Sequence, residues 1–234
     1  MTFKDIAVNE KIRVEVKTYD TERLKKLTTD RQAYENRINE EISAVIEDKA
    51  RVLDLGCGNG DLLKLLMDRK DIYGLGIDIS TEAVLNCVKK GVSVIQEDID
   101  EGLSQYKDKS YDYVIMTETM QAVQRPDSVL QHIVRIGSKA IVSFPNFAHH
   151  SIRFGLFFRG VMPKTSKLPY EWYNTPNIRH LTVKDFKEFC AKNGIKILKE
   201  IYLVKNGNRM RRKSLFANFF AEDALFIIQK KQYI

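Results

Sequence analysis

Three glycines and three carboxylates carry the chemistry this sequence offers. In VLDLGCGNG, residues 52–60, Gly56, Gly58 and Gly60 follow an apolar run and precede an amphipathic one. Bare backbone at such a strand-to-helix turn lets a ligand approach closely. The spacing is G-x-G-x-G, whereas a dinucleotide fingerprint needs its third glycine at position 61, which is Asp. A carboxylate at a helix N-terminus opposes a pyrophosphate, which disfavours a nicotinamide dinucleotide. Asp54 precedes the glycines, Asp78 closes GLGID, and Asp98 follows VSVIQE. The carboxyl ends of strands line the crevice of an open parallel sheet, and three carboxylates there suit a phosphate-free nucleoside with a positive charge. Asp78 is placed to accept hydrogen bonds from ribose hydroxyls, and Asp98 with Ile99 to meet the adenine.

Such a crevice needs strands that arrive in parallel, and the hydrophobic pattern supplies them. Ile38, Ile42, Val45 and Ile46 recur as one face of a helix that leads into RVLDL (51–55). A helix from 61 to about 69, strand 72–77, a helix from 81, strand 92–95, strand 111–116, a helix at about 126–136 and strand 139–144 then follow. Apolar strands separated by amphipathic helices predict an α/β fold with a parallel sheet covered on both faces. Residues 145–180 break the pattern and hold four of the five prolines. Periodicity resumes with VKDFKEFCAKNG, whose Gly194 suits a helix C′ position, and with strands at 195–204 and 224–229. Asn206-Gly207 between them is turn chemistry. The expected organisation is an N-terminal extension over 1–29, with an apolar alternation at Ile12, Val14 and Val16, then one domain over 30–234 with an insertion at about 145–180.

Composition narrows the partners. Residues 1–150 carry 21 Lys and Arg against 25 Asp and Glu; residues 151–234 carry 17 against 6. An acidic front and a basic back point to different partners or to a solvated basic face. Cys57, Cys87 and Cys190 are scattered, with no metal-ligand spacing, and read as reduced thiols of a cytoplasmic protein. No stretch reaches the length of a membrane span, and the interleaved charge of the first residues is unlike a signal peptide.

VLDLGCGNG, GLGIDIS and QEDIDEG, in this order and spacing, resemble the first motifs of class I S-adenosylmethionine-dependent methyltransferases. The resemblance implies a three-layer Rossmann-like fold with a seven-stranded, mostly parallel sheet, order 3-2-1-4-5-7-6, its last strand antiparallel. It implies that Asp54, Gly56, Cys57, Gly58 and Gly60 embrace the methionine part of S-adenosylmethionine or S-adenosylhomocysteine. Asp78 with Ile79 would take the ribose, Asp98 with Ile99 the adenine, and Thr117 would close the site at the end of the fourth strand. DEGL (100–103), YDYVIM, RPDSVL (125–130), IVSFPNF (141–147) and LPYEWYNTPNI (168–178) are similar to the MetW family of methionine-biosynthesis proteins, from about residue 30 onward. That resemblance implies association with homoserine O-acyltransferase as a partner.

Methyl transfer needs an aligned, dry approach and an acceptor that has lost its proton or sits beside a base. Many small-molecule methyltransferases that this fold resembles carry Glu-His after the fourth strand. The equivalent stretch here, TETMQAVQRPD, has Gln121-Ala122, and neither side chain is a base near neutral pH. Glu118, His149 and His150 are the remaining candidates for a base; the two histidines read equally as surface imidazoles. Arg211 and Arg212 lie in RMRRK (209–213), ahead of Phe216, Phe219 and Phe220, a pattern that can track RNA. The acidic front and a core-like Phe spacing oppose that reading. Tyr170, Trp172, Tyr173 and Asn174, stiffened by flanking prolines, are expected to form a partner surface or a substrate lid.

Overall fold

The structure, a computed structural model, describes residues 34–165, 168, 170–204, 208–210 and 216–231. Residues 34–43 form α1, which buries Tyr34, Ile38 and Ile42, with Ile46 just beyond its end. Strands and helices then alternate: β1 (Arg51–Leu55), α2 (Asp61–Lys70), β2 (Tyr73–Asp78), α3 (Thr81–Lys89), β3 (Val94–Gln96), α4 (Ile99–Gly102), β4 (Tyr111–Thr117), α5 (Pro126–Ile136) and β5 (Gly137–Pro145). After β5 come α6 (His150–Arg159), α7 (Val183–Lys192), β6 (Ile195–Val204), β7 (Asn208–Arg209), α8 (Ala217–Phe220) and β8 (Asp223–Lys230). Local chemistry sets several boundaries. Ser80 caps α3 by accepting the Ala83 N–H, Pro126 opens α5, and Thr182 with Asp185 forms a reciprocal capping box on α7. Gly194 follows α7 at φ +66°, the left-handed C′ geometry its sequence position suggests.

The sheet runs β3-β2-β1-β4-β5-β8-β6-β7. It has eight strands rather than seven; the addition is two-residue β7, an edge strand antiparallel to β6. Without it the order is the expected one, with the last strand, β8, antiparallel to both β5 and β6. One face packs Leu53, Val114, Met116, Val142 and Phe226 against Leu130, Ile133 and Val134 of α5 and Phe186 of α7. The other packs Val52, Ile115, Ile141 and Leu225 against Ile38 and Ile42 of α1 and Leu63 and Leu66 of α2. The alternation of side chains along each strand therefore gives the three layers their shared central sheet.

Residues 145–180 are not simply a break, because they contain α6. Only Ile152 of that helix is buried, so it lacks the apolar stripe by which periodicity finds helices. The alternation at Ile12, Val14 and Val16, the extension over 1–29, the Asn206-Gly207 turn and Arg211 with Arg212 lie outside the described residues.

Asn146, 1% exposed, ties this segment to the sheet. Its Nδ2 donates to Ala221 O (2.8 Å) and Asn218 O (3.3 Å), and its Oδ1 accepts the N–H groups of Ala148 (3.2 Å) and Val183 (3.3 Å). Asn146→Ala leaves those buried backbone groups unpaired. Urea unfolding is expected to show a loss of about 3 kcal/mol with an unchanged m value.

Candidate functional site

The glycine turn is held from two sides. Gly56 and Cys57 both donate to Ile77 O, at 2.8 and 3.0 Å, which pins the turn to the end of β2. Asp78, the last residue of β2, accepts the Gly58 N–H on Oδ2 (2.8 Å) and the Ser80 N–H on Oδ1 (2.9 Å). The carboxylate thus orders the turn and the start of α3, and its remaining lone pairs stay available to a ligand. Gly56 is required by space: a Cβ there would stand 2.4 Å from Thr119 Oγ1. Gly58 has nothing within 4 Å of its Cβ position, so backbone is laid open at that point. Asp61 opens α2 and is paired with Lys90, which leaves a carboxylate where a diphosphate would need bare N–H groups.

Asp54 differs from the other carboxylates. It is 2% exposed, and among the described residues its Oδ1 has no hydrogen-bond partner. Burial, reinforced by the charge of Asp78, pushes its pKa up to about 7. Such an orphaned buried oxygen is unusual in a folded protein, and a ligand cation would satisfy it. Next to it, Cys57 and Cys87 are buried thiols with their sulfurs 3.9 Å apart, and Cys87 Sγ donates to Gly58 O (3.2 Å). Burial raises the pKa of both, which keeps them protonated.

Beyond β3, Asp98 caps α4 by accepting the Asp100 N–H on Oδ1 (2.9 Å). Ile99 packs its half-buried side chain on the core, and Ile79 is exposed at the end of β2. Gln96 Nε2 holds that turn by donating to Ile79 O (3.1 Å). Asp100, which sequence reasoning passed over, accepts from the N–H groups of Gln124 (2.8 Å) and Arg125 (2.9 Å). It clamps the loop after β4 to the α4 turn. The only advance signal was its place beside Asp98.

Thr117 ends β4, and its carbonyl accepts the Thr119 hydroxyl (2.9 Å). Glu118 follows at φ +51°, a left-handed conformation that a non-glycine residue holds only when its surroundings impose it. The Tyr34 phenol interacts with the carboxylates of both Asp223 and Glu118; burial and these neighbours raise its pKa well above 10. Glu118, half-buried, thus faces a phenol that also meets a second carboxylate. Asp54, Thr117, Ser143 and Asp223 occupy the α1-facing side of four neighbouring strands, by alternation from Val52, Ile115, Ile141 and Leu225. Tyr34, Ser143 and Asp223 were not legible as site residues, because only the sheet order brings them to Asp54.

His149 departs from the reading of a surface imidazole. His149 is buried at the N-cap of α6, 2.8 Å from Ser151 Oγ, and lines a cavity of about 40 Å³ with Pro145, Leu168 and Glu222. Burial, then the neighbouring His150, lowers its pKa to about 4. It is neither a surface imidazole nor a base matched to neutral pH. His150 is half-buried and packs on His149, Phe219 and Phe220. Gln121 is buried and donates from Nε2 to Glu118 O (2.7 Å), which fixes the loop but moves no proton; Ala122 is exposed. Tyr170, Trp172, Tyr173 and Asn174 are all exposed, with Trp172 and Tyr173 edge to face in a turn. Arg179, at the end of that segment, reaches the loop after β4 through its N–H to Gln121 O (2.9 Å) and its Nη2 to Gln124 O (2.7 Å).

The sequence model of one protein family, Methionine biosynthesis protein MetW, matches residues 37–228. The chain belongs to the MetW family. A family relative, the bifunctional methionine biosynthesis protein MetXA/MetW of Rhodopirellula baltica, is 35% identical over 181 residues. The match covers 73% of this chain and 29% of that protein's length. Solved structures share the fold at low identity. An S-adenosylmethionine-dependent methyltransferase from Thermotoga maritima superimposes with a TM-score of 0.61 at 18% identity, over 91% of this chain and 96% of that one. The [4+2]-cyclase SpnF gives 0.60 at 14%, over 84% and 82%. The plantazolicin methyltransferase BpumL, solved with S-adenosylhomocysteine, gives 0.54 at 19%, over 78% and 76%. The chain thus has the α/β Rossmann-like methyltransferase fold, in a family of methionine biosynthesis. Among the described residues no helix is long and apolar enough to cross a membrane.

Proposed function

We propose that this protein binds S-adenosylmethionine or S-adenosylhomocysteine and acts as a partner and activator of homoserine O-acyltransferase. The observation that carries the partner reading is the 35% identical relative whose name joins MetXA and MetW in one chain. The crevice supports the ligand: Asp54 offers an orphaned buried carboxylate to a cation, and Gly56 and Gly58 bring bare backbone to it. Asp78 with Ile79 would take the ribose, and Asp98 with Ile99 the adenine, with Thr117 and Cys57 closing the sides. When bound, S-adenosylmethionine supplies a sulfonium and a transferable methyl group. The chain's own residues supply charge complementarity, and Gln121-Ala122 in the loop after β4 supplies no base. Because S-adenosylmethionine is made from methionine, its occupancy would report pathway output to an early enzyme, provided the ligand favours one state of the complex.

Titration calorimetry with both ligands tests the first half, and co-elution with the acyltransferase plus its rate tests the second. Absence of both ligand binding and association would refute the proposal. Trp172→Ala is expected to weaken the complex by on the order of tenfold, since exposed aromatic anchors dominate interfaces, and to leave ligand affinity within twofold. Loss of ligand affinity alone would make the Trp172 segment a substrate lid. Transfer of labelled methyl into a metabolite extract is the outcome that favours a small-molecule methyltransferase.

A further inference from the structure

The segment between β5 and α7 exposes far more apolar surface than solvation tolerates. Phe157, Phe158 and Trp172 are 80%, 74% and 76% exposed. Phe154, Met162 and Tyr170 are exposed as well. Single exposed apolar residues are ordinary, but a contiguous patch marks an interaction site. Met162, Tyr170 and Trp172 come together because α6 and the Trp172 turn flank one groove of about 540 Å³, walled also by Arg159, Val161 and the Lys164–Glu171 ion pair. Phe154, Phe157 and Phe158 pack on one another along α6 and do not line it. Gly155 is the floor. A Cβ on it would meet nothing nearer than Pro163 Cβ at 3.9 Å, so the missing side chain opens the groove rather than fitting a neighbour.

The charge around the groove indicates what fills it. Arg159 ends α6, is exposed, and has no ion-pair partner among the described residues. Residues 151–234 carry 17 Lys and Arg against 6 Asp and Glu. A groove walled by Met162, Tyr170 and Trp172, with Arg159 the cation left unpaired at its edge among the described residues, fits a protein that projects an aliphatic or aromatic side chain from a carboxylate-bearing surface.

We propose that the Gly155 groove is the socket by which this chain docks the homoserine O-acyltransferase, taking an apolar side chain of that enzyme while a carboxylate beside it meets Arg159. The inference rests on the partner reading above. The Trp172 turn is one wall of the socket, and α6, invisible to sequence periodicity, is the other.

The test uses the full chain and the purified acyltransferase, with affinity measured by calorimetry. Gly155→Met fills the floor, and because methionine is a better helix former than glycine the variant keeps its fold. It is expected to weaken the complex on the order of 30-fold, the scale of an interface hot spot, and to leave S-adenosylmethionine affinity unchanged. Arg159→Glu is expected to weaken the complex and to flatten its salt dependence. If wild type binds and Gly155→Met binds equally well, the socket is wrong and the partner reading stands. If wild type does not bind, both fall. Sedimentation that turns from dimer to monomer in Gly155→Met would give the groove to a second copy of the chain. Binding to phosphatidylglycerol vesicles that Phe157→Glu abolishes would give it to a membrane. Either result overturns the proposal.

Discussion

Asp54→Asn is expected to make the ligand-free protein more stable at pH 8 and far weaker as a binder. In the folded chain the Asp54 pKa stands at about 7, because the carboxyl is buried and faces Asp78. In the unfolded chain it returns to the ordinary carboxylate range near 4. Between those values the folded state holds a proton that the unfolded state has lost, so stability falls as pH rises from about 4 to 7 and levels off above. Three pH units of such a difference correspond to on the order of 4 kcal/mol. Asparagine cannot ionise and removes this slope, but its amide needs a partner of its own. The net gain at pH 8 is therefore expected to be about 2 kcal/mol. Urea unfolding at pH 5 and pH 8 should show a difference in wild type and little in the variant. Ligand binding runs the other way. A cationic ligand needs the carboxylate, so wild-type affinity for S-adenosylmethionine should climb roughly tenfold from pH 5.5 to 7, below the range where an α-amino group titrates. Asp54→Asn should bind weakly with no such climb. Equal affinities for the two proteins across that range would remove Asp54 from the site.

Gly56→Ala is expected to cost about 100-fold in ligand affinity, or roughly 3 kcal/mol, and to lower stability as well. Two effects combine. Gly56 has φ +72°, and an L side chain in that region costs about 1–2 kcal/mol. The added methyl would also meet Thr119 at 2.4 Å from Oγ1 and 2.7 Å from Cγ2. The backbone cannot move away, since Gly56 and Cys57 both donate to Ile77 O, and so Thr119 and the loop after β4 must shift. The double variant Gly56→Ala with Thr119→Ala should recover the collision and keep the dihedral cost. Gly58→Ala is the contrast. With open space around it, it should lose only about 1 kcal/mol of stability, so any larger loss of affinity is contact with the ligand itself. If Gly56→Ala bound normally by calorimetry, the glycine turn would not be the ligand's seat.

The two variants separate what a motif shows from what packing makes of it. Gly56, Gly58, Gly60, Asp54 and Asp78 were legible in VLDLGCGNG and GLGID, because a tight turn between a strand and a helix is a local matter of dihedrals and spacing. The sequence could not show that Asp54 is sealed while Asp78 is braced by two backbone N–H groups. The raised pKa of Asp54 comes from that burial and from the charge of Asp78 beside it. In the same way His149 and His150 looked alike as neighbours in sequence, yet the N-cap of α6 buries His149 and drives its pKa down.

The sequence by itself determined the alternation of strands and helices, the parallel sheet, and the carboxylates at its strand ends, because hydrophobic period and turn chemistry act over a few residues. It missed α6 for a physical reason: a helix with only Ile152 buried has no stripe to reveal it. It missed β7 because two residues carry no period. Only the tertiary structure decided that Tyr34 meets Glu118 and Asp223, that Cys57 meets Cys87, and that Gly155 and Trp172 share a groove. Those pairs are separated by many residues, and strand order and helix placement, rather than local preference, set which of them touch.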